Sequence, residues 1–184
     1  MDCLKTKKRS ISSRACICRL GHQDGRLLAL QIKCGAVDLA DGARASVATI
    51  TSKDHPREYY HLFPASTLED AGVPDEQIFR ALNCALVTWR TNRTISNKDP
   101  IAYLKERSDN NALGEEELRR RLKTHLIPHN GLAVGYGGIG EEERRARVKA
   151  DCEAFLAAKA AILADAARQA CEGKALDLNE LFQD

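Results

Sequence analysis

No apolar run in the 184-residue chain approaches the roughly 18 residues that a membrane-spanning helix needs, so no membrane partner is expected. The amino-terminal stretch is basic but contains no apolar segment, which argues against a secretory signal peptide. Charge of one sign is lacking too. A formal net charge of +2 gives no global polyelectrolyte signal, so any hold on nucleic acid has to come from a local cationic patch. The seven cysteines are odd in number and have no framework spacing. That pattern speaks against a disulfide scaffold and suits a reducing cytoplasm, the expected location, where most thiols act as small buried apolar groups. Cys16-x-Cys18 with His22, and Cys34 or Cys3 as a fourth donor, has metal-ligand chemistry, but its spacing is not a usual zinc-finger one. Free thiols are the expectation there.

What is present, 43% hydrophobic and 29% charged residues, suits one soluble globular domain able to bury a core without staples. Residues 1–25 are polar and basic with no sustained period and read as a poorly ordered lead-in. Leu27, Leu28, Leu30 and Ile32 form a helical or buried run closed by Gly35. Asp41-Gly42 signals a turn, and Ser46–Thr51 is β-prone. Helix starts are expected at Ser66-Thr67, at Pro74-Asp75-Glu76 and, with proline at the first helical position, at Asp99-Pro100. Glu115–Arg121 pairs acids with bases at helical spacing, as an exposed face does. His125 and His129 flank Pro128, which breaks helical geometry between them, so His125 reads as a packing or hydrogen-bonding residue and not as half of a metal pair.

Gly135-Tyr-Gly137-Gly-Ile-Gly140 matches a dinucleotide-binding fingerprint. It lacks the buried strand before it and the βαβ unit after it, and reads as a loop. Glu141–Cys171 is the clearest helix, with Val148, Cys152, Phe155, Leu156, Ile162, Leu163, Ala166 and Ala170 on one stripe and Gly173 closing it. Residues 131–184 are thus a glycine-rich loop and a scaffold helix of the same domain, ending in an acidic tail whose Leu178, Leu181 and Phe182 are available to dock.

The centre of the chain is Arg57–Arg93. Tyr59, Tyr60, His61, Leu62 and Phe63 make a short run that Pro64 stops, since proline cannot donate to a sheet ladder. Asn83 leads a second apolar run, Cys84–Trp89, and Asn92 stands at the mouth of a following helix. The expected unit is a two-stranded hairpin crossed by a helix. An imidazole beside an oxygen-ligated divalent cation suits phosphodiester hydrolysis, and an asparagine carbonyl is a hard ligand suited to Mg2+ or Mn2+. Arg90, Arg93, Lys98, Lys105 and Arg107 stand against Asp99 and Glu106 in the next stretch, a local cationic rim for DNA phosphates that is equally compatible with a solvated helix face.

Taken in order, His61-Leu-Phe-Pro64, Leu82-Asn83-Cys-Ala-Leu86, Thr91-Asn92-Arg-Thr-Ile-Ser-Asn97-Lys-Asp-Pro100 and Tyr103-Leu104 resemble the HNH (His-Me finger) nucleases. More specifically, the pattern looks like the HNH-containing carboxy-terminal part of GmrSD-type modification-dependent restriction endonucleases. Weaker likeness extends from Leu27 to Lys174. The resemblance implies an α+β, mostly helical fold in which a small ββα-metal hairpin–helix core, within residues 26–130, is embedded in flanking helices. It implies a metal-dependent DNA endonuclease of restriction or phage-defence type. His61 would be the general base, Asn83 the asparagine that fixes the loop and the imidazole, and Asn92 a ligand to Mg2+ or Mn2+. Arg90, Arg93 and Lys98 would meet the DNA backbone. The reading requires His61 and Asn92 to face a common cavity.

The family commonly carries Asp or His, a further metal ligand, immediately before the base, whereas this chain has Tyr60; Asp54 and His55 are nearby candidates to replace it. The alternative is a non-catalytic DNA-binding or partner-docking remnant of such an enzyme. The family likeness also implies a large upstream NTP-hydrolysing or recognition domain, as part of the same protein or as a separate chain. Asn92-Arg93-Thr94 fits a glycosylation sequon, discounted for a cytoplasmic chain.

Overall fold

The structure is a computed structural model and describes residues 22–51, 57–78, 80–88, 90–92, 103, 106, 114–132 and 136–182. The order of elements is α1 (His22–Lys33), α2 (Val47–Thr51), β1 (Arg57–His61), α3 (Ala65–Asp70), α4 (Asp75–Ile78), β2 (Cys84–Thr88), α5 (Gly114–Thr124), α6 (Glu141–Cys171) and α7 (Leu178–Leu181). Short 3-10 turns at Ala81–Asn83 and Asn130–Leu132 connect them. Helix dominates and the described strands form one antiparallel pair, so the class is α+β.

Helix α1 begins at His22, inside the stretch expected to be a lead-in. It closes as expected at Gly35, whose φ of +74° lets its amide and that of Ala36 fold back onto the carbonyls of Ile32 and Gln31. The loop that follows turns at Asp41-Gly42 and brings Val37 opposite Arg44. Gly42 makes this turn at a φ of +75°, which glycine adopts without strain. The Arg121 guanidinium crosses it to donate to the carbonyl of Ala40 (2.9 Å), and a β-carbon at 42 would lie 2.9 Å from Arg121 Nη2.

Ser46–Thr51 corrects the sequence expectation, since it is a helical turn and not a strand. The Ser46 amide donates to Thr49 Oγ1 (2.8 Å) and the Thr49 amide donates to Ser46 Oγ (3.2 Å). This reciprocal cap satisfies the free amides of a helix start and outweighs the β preference of the branched residues. Helix α3 likewise starts at Ala65 after Pro64, without a side-chain cap from Ser66.

The hairpin has one face on the main core. Tyr60, Ala85 and Val87 pack there with Leu62, Phe63, Leu68, Ile78, Leu118, Leu122 and the Val148, Cys152, Phe155, Leu156 stripe of α6. The Phe63 and Phe155 rings meet at 5.5 Å. Tyr59 and Leu86 point the other way, onto a smaller cluster with Ala36, Ala45 and Leu28. A third cluster settles the tail: Leu181 and Ala166 are buried with Leu126, and Leu178 and Phe182 pack around them. Asp177 caps α7 by accepting from the Asn179 amide (2.8 Å). Burying these apolar side chains stabilises a helix of four residues that could not stand alone.

Helix α6 has the bounds its sequence pattern gives, 31 residues from Glu141 to Cys171. No helix among the described residues is long and apolar enough to cross a membrane.

Candidate functional site

Strands β1 and β2 pair in the register Arg57↔Thr88, Glu58↔Val87, Tyr59↔Leu86, Tyr60↔Ala85, His61↔Cys84. Side chains alternate along a strand. Arg57, Tyr59 and His61 therefore project to one face, and Glu58 and Tyr60 to the face of the main core. His61 ends β1 and is half-buried.

Asn83 fixes the chain just past the imidazole. It is fully buried. Its Oδ1 accepts from the Phe63 amide (2.9 Å), and its Nδ2 donates to the carbonyls of Phe63 and Ile78 (3.1 Å each). The Leu62 amide donates to the Asn83 carbonyl (2.7 Å), continuing the ladder one step beyond the paired residues. Carboxamides suit this post because they carry a donor and an acceptor on one planar group. The turn after His61 is thereby held by a residue 20 positions away in sequence.

Asn92 lies on the helical turn after β2. Its placement depends on Asp38, which no motif singled out. Asp38 is buried, and its carboxylate accepts from the Thr88 amide (2.6 Å), Thr91 Oγ1 (2.8 Å) and the amides of Ala40 (2.8 Å) and Asp41 (2.9 Å). Burial pushes its pKa up, but the hydrogen bonds from Thr88, Asp41, Thr91 and Ala40 outweigh that and hold the carboxyl below its ordinary range. Arg57 Nη1 stands 3.9 Å away, while its Nη2 donates to the carbonyls of Ala43 and Arg44. The loop at 36–45, the end of β2 and the turn carrying Asn92 are thus tied to one carboxylate.

From this turn Asn92 Nδ2 reaches Glu58 Oε2 at 2.6 Å. Glu58 belongs to the same strand as His61 but to the opposite face. Thr88 pairs with Arg57, so the turn carrying Asn92 lies beside the start of β1 while His61 stands at its end; register and pleat thus set Asn92 and His61 apart, and the common cavity expected for them is not formed by this pairing. Tyr60 is buried in the core at 7% exposure, so its ring packs there. The carboxylate that the fold sets against Asn92 is Glu58. The signal for it was available, since strand alternation puts positions 58 and 60 on one face. Glu58 and Asn92 offer two hard oxygen donors, which fits Mg2+ or Mn2+ with water completing the shell. No group of three or more His, Cys, Asp or Glu residues able to hold a metal occurs among the described residues.

Arg90 is exposed on the turn that carries Asn92. Arg93 and Lys98 lie outside the described residues, as do Asp54, His55, Cys3, Cys16, Cys18 and Gly135. Tyr103, expected on the helix beginning at Pro100, is helical and buried. The Glu115–Arg121 pairing is observed as Arg119–Glu115, Arg120–Glu117 and Arg121–Glu117 contacts on α5. Before the glycine-rich loop, Asn130–Leu132 form a 3-10 turn, not a strand.

Behind the hairpin sit two buried bases. His125 Nε2 is 2.6 Å from the Val37 carbonyl, so Nε2 carries the hydrogen. Burial pushes its pKa down to about 4, with the Lys159 charge adding to the effect. His125 is thus a neutral hydrogen-bonding residue, as its sequence context suggests. Lys159, in the middle of the apolar stripe of α6, donates from Nζ to the Cys84 carbonyl (2.8 Å) directly across from His61. Burial pushes its pKa down to about 7. Lys159 falls seven residues after Cys152 and seven before Ala166, on the stripe itself.

No family model matches the chain, and no solved structure matches it. Over 75 residues it is 35% identical to Uncharacterized protein MJ0686 of Methanocaldococcus jannaschii, a match covering 39% of this chain and 13% of that protein. The chain therefore corresponds to a small part of that relative's length.

Proposed function

We propose that this chain is an HNH-type, metal-dependent DNA endonuclease module of the restriction or defence class, built on the β1–β2 hairpin and the helical turn after it. The observation that carries the reading is the Asn83 clamp: three side-chain hydrogen bonds hold the turn that follows His61, the service the sequence resemblance assigns to that asparagine. A half-buried imidazole on a fixed backbone suits a general base.

His61 takes a proton from water as the water oxygen bonds to phosphorus. The ester bond to the leaving oxygen breaks, and that oxygen is protonated from solvent. A bound Mg2+ or Mn2+ would supply charge stabilisation on the phosphate. Asn83 holds the loop, Asn92 keeps its carboxamide on Glu58 near the start of β1, and Arg90 offers an exposed cation to the DNA backbone. In the family, the base and the ligand before it occupy adjacent strand positions and so alternate faces. Here Asn92 stands instead beside Glu58, toward the start of β1.

A specific observation favours a second reading, a DNA-binding remnant without hydrolysis: the position before His61 is filled by a tyrosine packed into the core. Nicking of supercoiled plasmid with Mg2+ or Mn2+ decides between them. His61→Ala is expected to slow nicking by at least about 100-fold, the lower range for loss of a general base, with its thermal melt unchanged. Nicking that survives in His61→Ala, or DNA binding without cleavage under every divalent metal, overturns the hydrolytic reading. Arg90→Ala is expected to weaken DNA binding for all sequences and to lower the slope of log K against log salt by about one unit. An unchanged slope removes Arg90 from the interface.

A further inference from the structure

We infer that Glu58 is the carboxylate of the cation site and that, with Asn92, it does the work left undone at Tyr60. This rests on the hydrolytic reading for its purpose, though not for its test.

The two side chains come from different elements and meet across 2.6 Å on the core-side face of the hairpin. Glu58 sits within the strand, paired with Val87, so its backbone is held by the ladder to β2. Asn92 is fixed through Thr91, whose hydroxyl donates to Asp38 and whose amide donates to Thr88 Oγ1 (3.1 Å). Both groups are thus preorganised and half-buried, where a charge interaction is screened less than on an open surface. Mg2+ and Mn2+ take one or two carboxylates and complete their shell with water and substrate phosphate oxygens, so two protein donors suffice. A zinc cage would need more. Turning the Asn92 carboxamide over about its terminal bond exchanges Nδ2 for Oδ1 at the same place, and a cation then bridges the two oxygens without any change of backbone. Without the cation, the amide hydrogen bond seen here keeps the Glu58 charge satisfied.

Mn2+ binding to the full chain, measured by electron paramagnetic resonance in the absence of DNA, tests this. Wild type and His61→Ala are expected to bind alike, and Glu58→Gln, which keeps shape and hydrogen bonding but removes the charge, at least tenfold more weakly. Asn92→Asp offers an independent measurement: two carboxylates repel without metal, so its melting temperature should fall in metal-free buffer and recover with Mn2+, and its Mn2+ affinity should rise. Equal Mn2+ affinity in wild type and Glu58→Gln overturns the assignment, as does no binding by wild type at millimolar Mn2+ or no gain in affinity in Asn92→Asp. The hydrolytic reading fails separately. His61-dependent nicking with unchanged affinity in Glu58→Gln removes Glu58 and spares hydrolysis. Glu58-dependent Mn2+ binding without nicking does the reverse.

Discussion

Asn83→Ala is expected to lower the unfolding free energy by about 3–5 kcal/mol, measured by urea denaturation at neutral pH. The substitution removes three hydrogen bonds and leaves the Phe63 amide and the Phe63 and Ile78 carbonyls without that partner in a buried position. Each buried group so orphaned costs about 1–3 kcal/mol, and a shared relaxation of the turn keeps the total below the sum. Phe63 is itself packed on Phe155, so loosening the turn also disturbs the contact between hairpin and α6. Asn83→Asp is instructive beside it: one oxygen can still accept from the Phe63 amide, but the other presents a buried anion to two carbonyls. Its loss should be as large at pH 7 and should shrink in acid. A change under about 1 kcal/mol for Asn83→Ala would mean that the turn after His61 is held by something else.

The second large effect is an unusual pH profile. Lys159 is fully buried with a pKa of about 7, against 10.5 when exposed, so between these values the unfolded chain holds a proton that the folded chain has given up. Stability then rises with pH, by about 1.4 kcal/mol per unit for one proton. His125 follows the same rule lower down: its pKa of about 4, against 6.5, means that stability falls as the pH drops from 6.5 to 4. Above pH 9 the sign reverses. Cys34 and Cys152 are pushed by burial to about 11 from 9.0, so the unfolded chain loses thiol protons first and alkali favours unfolding. Stability should therefore climb by about 1.5 kcal/mol from pH 7 to a maximum near pH 9 and then decline. Lys159→Met should flatten the rise between pH 7 and 9 and leave the acid limb in place. A maximum at pH 6–7 in the parent chain would show that the Lys159 ammonium stays charged in the fold.

The parts of this fold that the sequence discloses are those set by local rules. Helix α6 is long, rich in alanine, led by three glutamates and stopped by a glycine, and each of these signals acts within a few residues of where it is written. The hairpin is also legible, because Pro64 ends the first run and the apolar Cys84–Thr88 run marks the second strand. What stayed hidden is long-range. Asp38 gathers partners up to 53 residues away, and Glu58 meets Asn92 across 34. The Asp38 contacts have no pattern to find in one sequence, and for Glu58 the strand alternation gives its face but not its partner. Lys159 was hidden for a different reason: a cation on an apolar stripe reads as solvent-facing until the carbonyl that receives it, 75 residues earlier, is known. At Ser46–Thr51 the deciding signal is local: the reciprocal serine–threonine cap overrides the β preference of the branched residues.

The grip of Lys159 on Cys84 also bears on association. Because the Leu62 amide bonds to Asn83, residues 61 and 84 form a non-bonded pair of the ladder, and the Cys84 carbonyl points away from β1. Such outward carbonyls on a rim strand are the template on which another molecule's strand assembles. Here Lys159 Nζ, reaching from α6, claims that acceptor, so this outward carbonyl of β2 is closed to another strand.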